Sequence, residues 1–111
     1  MIPEIESLDA VKGESQPVIV WFTVPGCPPC RAVEPRVMDF LEKHGRDCRV
    51  VRFDITKNPE VPQELEITST PTFVFYKDGV EIGRLDGLPA VEDFEEMLMK
   101  TVKQKGGDRI G

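Results

Sequence analysis

Residues 18–22 of this 111-residue chain read VIVWF, a continuous run of β-branched and aromatic side chains. Such a run is typical of a β-strand that is buried on both faces, because each face of the pleated strand then carries apolar side chains. A strand of this kind occurs in sheets that are covered by helices. The run therefore predicts an α/β fold.

The residues that follow predict a helix and a second strand. After a turn at residues 24–26, apolar residues recur at helical spacing as far as His44. Residues 49–55 predict a second strand, and residues 58–65, with two prolines, predict a short helix or turn. A strand, a helix and a strand in this order imply a right-handed crossover and a parallel pair.

The last third of the chain predicts a hairpin and a closing helix. Residues 72–76 and 80–85 are strand-like and flank an Asp-Gly turn dipeptide, which favours an antiparallel return. Pro89 suits the first turn of the last helix. The predicted inward stripe of that helix consists of Val91, Phe94, Leu98 and Val102.

The chain is interpreted as one domain over residues 1–111. Residues 1–17 are the least defined part, with an edge strand expected near residues 2–5 and a short helix near residues 8–12. Residues 103–111 are polar and glycine-rich, which predicts a flexible tail.

Composition and charge exclude several classes of function. Lysine and arginine number 14 against 20 acidic residues, which gives a formal charge of −6. An acidic chain without a basic cluster predicts no nucleic-acid partner, because phosphates require a positive face. No membrane segment is expected, since the longest apolar run is far shorter than the ~20 residues that span a bilayer. The first residues lack the features of a secretory signal, which favours a cytoplasmic protein.

Cys27 and Cys30 enclose two prolines where the first strand gives way to the helix. At a helix N-terminus, unpaired amides and the macrodipole stabilise an anion such as the Cys27 thiolate. Pro28 and Pro29 fit the first helical turn, which leaves the Cys30 amide as the nearest backbone donor to the Cys27 sulfur. The motif predicts that Cys27 attacks a target disulfide and that Cys30 resolves the mixed disulfide.

Two other interpretations of the cysteine pair stay open. The pair could be half of a zinc or iron–sulfur site, although the only other cysteine and histidine are Cys48 and His44. A metal module would therefore have to bridge two chains. The pair could also be a vestige in an interaction domain. Cys48 is interpreted as a packing residue, and an odd cysteine count fits a reducing compartment.

The motifs together resemble the thioredoxin family over nearly all of residues 17–100. They are VIVWF before the site, CPPCR at the site, then VRFDIT, STPTFVFYKDG and Gly87. The resemblance implies a thioredoxin fold, with a central mixed β-sheet of four to five strands flanked by helices. It implies a dithiol–disulfide oxidoreductase that binds no cofactor and uses a Cys27–Cys30 disulfide. The implied partners are protein disulfides and a separate reductase or small-thiol donor, and we expect a monomer.

The resemblance also implies roles for residues around the pair. Pro71 matches a family proline that follows a cis peptide bond, and the backbone of Thr70 is placed to pair with an extended substrate. The implied substrate-binding set is Gly26, Thr70, Pro71 and Gly87. The implied supporting set is Pro28, Pro29, Pro71, Trp21 and Arg52.

Three departures from the family pattern affect function. Gly26 replaces a tryptophan, which should loosen partner recognition. A proline at the position of Pro28 is similar to the glutaredoxin pattern, so glutathione-linked exchange stays an alternative. Trp21 replaces a buried acid that relays a proton from the resolving cysteine. Without that carboxylate, Arg52 is expected either to stack on Trp21 or to extend into solvent. Loss of the buried carboxylate should favour the Cys27 thiolate. The protein should therefore be more oxidising than a typical thioredoxin, and it should resolve mixed disulfides slowly.

Overall fold

A computed structural model describes residues 2–104. The elements in chain order are β1 (Glu4–Ile5), a short 3-10 helix (Leu8–Val11), β2 (Val18–Thr23), α1 (Pro28–His44), β3 (Arg49–Asp54), α2 (Glu60–Glu64), β4 (Thr72–Lys77), β5 (Val80–Asp86) and α3 (Val91–Lys103). Of the tail predicted at residues 103–111, residues 105–111 lie outside the described part of the chain.

The strands form one mixed five-stranded sheet in the order β1-β3-β2-β4-β5. β2 and β3 are parallel, with α1 as their crossover, and β4 is antiparallel to both β2 and β5. Asp78 and Gly79 have φ angles of 52° and 79°, the left-handed region that a tight hairpin turn requires. The predicted βαβ unit, hairpin, N-terminal edge strand and thioredoxin fold are confirmed.

Alternation along the central strands divides the core into two layers. Ile19 and Trp21 of β2 point to the face covered by α1 and α3, where Phe40, Phe73 and Phe94 are also buried. Val18, Val20 and Phe22 of β2 point to the opposite face and belong to a second cluster. Leu8 from the 3-10 helix and Val61 from α2 pack against that cluster. All six residues of β2 are buried, as the sequence of that strand predicts.

The last helix differs in two details from its sequence prediction. It begins at Val91 with Ala90 as its N-cap, so Pro89 precedes the helix instead of occupying its first turn. Val102 is 47% exposed, whereas Thr101 is fully buried. Thr101 follows Phe94 by seven residues and so returns to the same side of a 3.6-residue helix, while Val102 is turned away from it. The Thr101 hydroxyl donates to the Met97 carbonyl at 2.7 Å.

The topology brings the ends of β2 and β3 and the start of β4 together at one end of the sheet. The last residue of β2 pairs with the last residue of β3, and the residue before it pairs with the first residue of β4. α1 begins five residues after β2 ends.

Within residues 2–104, no helix is both long and apolar enough to cross a membrane.

Candidate active site

The cysteine pair lies at the N-terminus of α1, where the sequence predicts it. Gly26 has a φ of 76°, a conformation that favours glycine, and it turns the chain from β2 into the helix. Cys27 is the N-cap residue, and Pro28 and Pro29 occupy the first helical turn. The backbone N–H of Cys30 donates to the Cys27 sulfur at 3.3 Å. An anion at that sulfur would therefore meet a backbone donor as well as the helix dipole.

The two cysteines are joined in a disulfide and differ in accessibility. Their Cα atoms are 5.2 Å apart, within the ordinary range for a disulfide. Cys27 is half-buried, whereas Cys30 is 5% exposed. Cys27 is therefore the more accessible residue of the pair.

A second loop brings Thr70 and Pro71 against Cys27. The Thr70–Pro71 peptide bond is cis. The Thr70 hydroxyl oxygen lies 3.7 Å from the Cys27 sulfur, and its carbonyl oxygen lies 4.0 Å away. Gly87, with a φ of 72°, donates its N–H to the Pro71 carbonyl at 3.2 Å. Three separate parts of the sequence thus meet at one place, namely Cys27, the Thr70–Pro71 pair and Gly87.

Trp21 and Arg52 pack against each other behind the pair. The guanidinium carbon of Arg52 lies 4.6 Å from the centre of the Trp21 ring, so the stacked alternative is the one observed. The sequence expectation that Arg52 lacks a carboxylate partner is wrong, since its Nη2 lies 3.7 Å from Oε2 of Glu34. The partner comes from α1, which the strand pattern could not indicate. A surface pocket of about 280 Å³ opens here and is bordered by both cysteines, Trp21, Glu34 and Arg52; we call it the Cys30 pocket.

Arg36 contacts the loop that follows Gly87, and sequence reasoning missed this contact. Its Nη1 donates to the carbonyl of Leu88 at 2.7 Å and to that of Pro89 at 3.1 Å, which holds the loop that follows Gly87. These partners lie more than fifty residues away in the sequence, so no local pattern could have indicated them.

Glu34 is a second residue that sequence reasoning missed. It follows Cys30 by one helical turn on α1, and that spacing is visible in the sequence.

Cys48 lies apart from this constellation. It is 2% exposed, and burial, with a smaller contribution from the charge of Asp47, raises the pKa of its thiol to about 12. Its sulfur lies 3.5 Å from the His44 carbonyl oxygen. Within residues 2–104, no group of three or more histidine, cysteine or acidic residues is arranged to hold a metal ion.

Comparisons with known proteins agree with this geometry. A family model described as Thioredoxin matches residues 6–100. Thioredoxin Asp f 28 of Aspergillus fumigatus is 39% identical over 84 residues, which cover 76% of this chain and 77% of the relative. The thioredoxin of Alicyclobacillus acidocaldarius is 33% identical over 94 residues, covering 85% and 89% of the two chains. Oxidised mitochondrial thioredoxin 3 of Saccharomyces cerevisiae has a TM-score of 0.77 at 26% identity, covering 88% of this chain and 93% of that chain.

Proposed function

The chain belongs to the thioredoxin family and is a dithiol–disulfide oxidoreductase, and on that premise we propose that Cys27 is its attacking thiol and Cys30 its resolving thiol. The observation that carries these assignments is the N–H of Cys30 directed at the Cys27 sulfur at 3.3 Å. A thiolate is the reactive form of cysteine, and this donor favours it at Cys27. The reacting group is the disulfide itself, so the reaction requires no bound cofactor.

The proposed reaction proceeds by two exchanges of sulfur bonds. The Cys27 thiolate attacks one sulfur of a protein disulfide, the substrate S–S bond breaks, and the departing substrate sulfur takes a proton. Cys30 then loses its proton and attacks the Cys27 sulfur. The bond between Cys27 and the substrate breaks, and the second substrate thiol leaves. The substrate gains two electrons, and the protein ends with the Cys27–Cys30 disulfide.

An extended substrate segment would lie along the surface formed by Gly26, Thr70, Pro71 and Gly87. The Thr70 carbonyl is 4.0 Å from the Cys27 sulfur, so a segment paired with its backbone would present a sulfur to Cys27. A Cβ atom added to Gly26 would meet nothing within 4 Å, so the surface beside Gly26 is open. Recognition would therefore rest on backbone pairing more than on one large side chain.

Family membership implies protein disulfide substrates and a reductase partner in general terms. A separate reductase or a small thiol would return the disulfide to the dithiol. We also propose that the protein works as a monomer in the cytoplasm. The buried free thiol of Cys48 is compatible with a reducing compartment, and the exposed large apolar residues of the described chain are few, namely Met38, Leu88, Met99 and Val102.

Reduction of a disulfide-bonded protein substrate tests these roles. Wild type, Cys27→Ser, Cys30→Ser and the matched control Cys48→Ala would be compared, with reductase, glutathione or dithiothreitol as the electron donor. We expect Cys27→Ser to lose turnover, Cys30→Ser to accumulate a mixed disulfide, and Cys48→Ala to retain the wild-type rate. Turnover by Cys27→Ser would contradict the assignment. Stoichiometric metal in the same samples, lost with the cysteine pair, would favour the metal interpretation instead.

A further inference from the structure

The Cys30 pocket is large enough to hold several water molecules. Its volume is about 280 Å³, whereas one water molecule takes up ~30 Å³ in the liquid. Trp21 is 2% exposed, yet its Nε1 has no hydrogen-bond partner within residues 2–104, and the same is true of the buried Nε of Arg52. Buried donors of this kind normally bind protein acceptors or ordered water. Trp21 and Arg52 border the same pocket as the resolving cysteine.

The charged side chains that border the pocket differ in what else they bind. They are Glu4, Arg31, Glu34, Arg52 and Asp54. Glu4 is 2.6 Å from Lys57 Nζ, and this contact raises the pKa of that amine. Asp54 accepts hydrogen bonds from the amide and hydroxyl of Thr56, at 2.9 and 2.6 Å. These two carboxylates are therefore occupied by close donors.

Glu34 is the third carboxylate at the pocket, and its surroundings differ. Its contact with Arg52 is longer, at 3.7 Å, and its side chain is 50% exposed. It follows Cys30 by four residues on α1, and side chains four residues apart lie on the same face of a helix. The 3.7 Å contact places the Glu34 carboxylate beside Arg52, which stacks on Trp21 and also borders the pocket. Glu34 is consequently the acid best placed to exchange a proton with Cys30 through water.

We propose that Glu34 accepts the proton of the Cys30 thiol, through water in the Cys30 pocket, when Cys30 resolves a mixed disulfide. This step rests on the proposed function, in which Cys30 is the resolving thiol. The proton passes to water and from water to the Glu34 carboxylate, while the Cys30 thiolate forms its bond to Cys27 and the substrate thiolate departs. Glu34 then returns the proton to solvent. The carboxylate in this step thus belongs to α1, whereas the position of the family's buried acid in β2 is occupied by Trp21.

A two-phase reaction separates this step from the first attack. Reduced protein is mixed with an aromatic disulfide whose thiolate absorbs visible light, and stopped flow follows its release. The first phase reports attack by Cys27, and the second reports displacement of the remaining aromatic thiolate by Cys30. For Glu34→Gln we expect the second phase to be about tenfold slower at a pH of about 6, below the ~10²-fold typical of direct proton transfer. The difference should shrink as the pH rises, because hydroxide then takes the Cys30 proton without the carboxylate.

The control variants make the outcome specific. Glu42→Gln removes an exposed acid from the same helix away from the pocket and should leave both phases unchanged. Glu34→Asp keeps the carboxylate and should restore part of the second-phase rate. An unchanged second phase in Glu34→Gln at every pH would overturn the inference, as would equal slowing of both phases. Two normal phases in Cys27→Ser would instead refute the proposed function.

Discussion

Alkaline pH should destabilise the oxidised protein through the buried thiol of Cys48. Burial and the charge of Asp47 raise the pKa of this thiol from 9.0 to about 12 in the folded chain. The native state therefore keeps a proton that the unfolded chain releases above a pH of about 9. This contribution to the free energy of unfolding is complete below pH 9 and decreases as the pH rises toward about 12.

The expected magnitude follows from the separation of the two pKa values. A difference of three pH units between 9.0 and about 12 corresponds to about 4 kcal/mol in total, at about 1.4 kcal/mol per unit. Tyr76 acts in the same direction, because burial and the charge of Glu81 raise its pKa from 10.0 to about 12. The phenol begins to contribute about one pH unit later. Between pH 9 and 10 the loss should therefore come mainly from Cys48.

Urea unfolding of oxidised wild type and Cys48→Ala between pH 8 and 10 measures this contribution. The oxidised form is used because Cys27 and Cys30 cannot titrate while they are joined. Wild type should lose about 1 kcal/mol more than Cys48→Ala between pH 9 and 10, because the unfolded thiol is already half ionised at pH 9. Any constant cost of the substitution cancels in this slope. The same slope in both proteins would refute the reasoning.

A labelling experiment tests the same property of Cys48 at neutral pH. Three units of pKa lower the thiolate fraction about a thousandfold relative to an ordinary thiol. Alkylation of the native, reduced protein should therefore modify Cys27 while leaving Cys48 intact. Modification of Cys48 at the rate of Cys27 would indicate a reactive thiol in place of a packing residue.

Three further predictions concern the active site. The potential of the redox disulfide should lie about 30 mV above the ~−270 mV of thioredoxin, equivalent to about 1.4 kcal/mol, and a glutathione titration that gave a value at or below −270 mV would contradict it. Arg36→Ala should lower the free energy of unfolding by about 1 kcal/mol and raise the KM for protein substrates, because the carbonyls of Leu88 and Pro89 lose their donor; an unchanged KM would separate that loop from substrate binding. Gly87→Ala should cost about 1–2 kcal/mol through its φ of 72° and also raise KM. The control Gly13→Ala, with a φ of 80° in the segment between the 3-10 helix and β2, should affect stability alone.

The elements that depend on local pattern were predicted closely from the sequence. The run in β2 requires burial on both faces, and the Asp-Gly dipeptide fixes the hairpin between β4 and β5. The reactive centre was equally local, since Cys27 as N-cap and two prolines in the first turn leave few other arrangements for the Cys30 amide. The errors arose where helix phase decides burial. Val102 and Thr101 are adjacent, and only the packing of α3 on the sheet determines which of them faces inward.

The redox chemistry of the cysteine pair was implied by the resemblance to the thioredoxin family. What the sequence alone determined is the order of the elements and the position of the cysteine pair. These follow from spacing over a few residues, because helix ends, turns and strand periodicity act over that range. The tertiary structure decided which distant groups surround the pair: Thr70 beside Cys27, Arg36 beneath the loop after Gly87, and Glu34 against Arg52. Sheet order and crossover geometry bring those groups together, and no local spacing encodes a contact between α1 and β3. The proton path proposed for Cys30 depends on that contact.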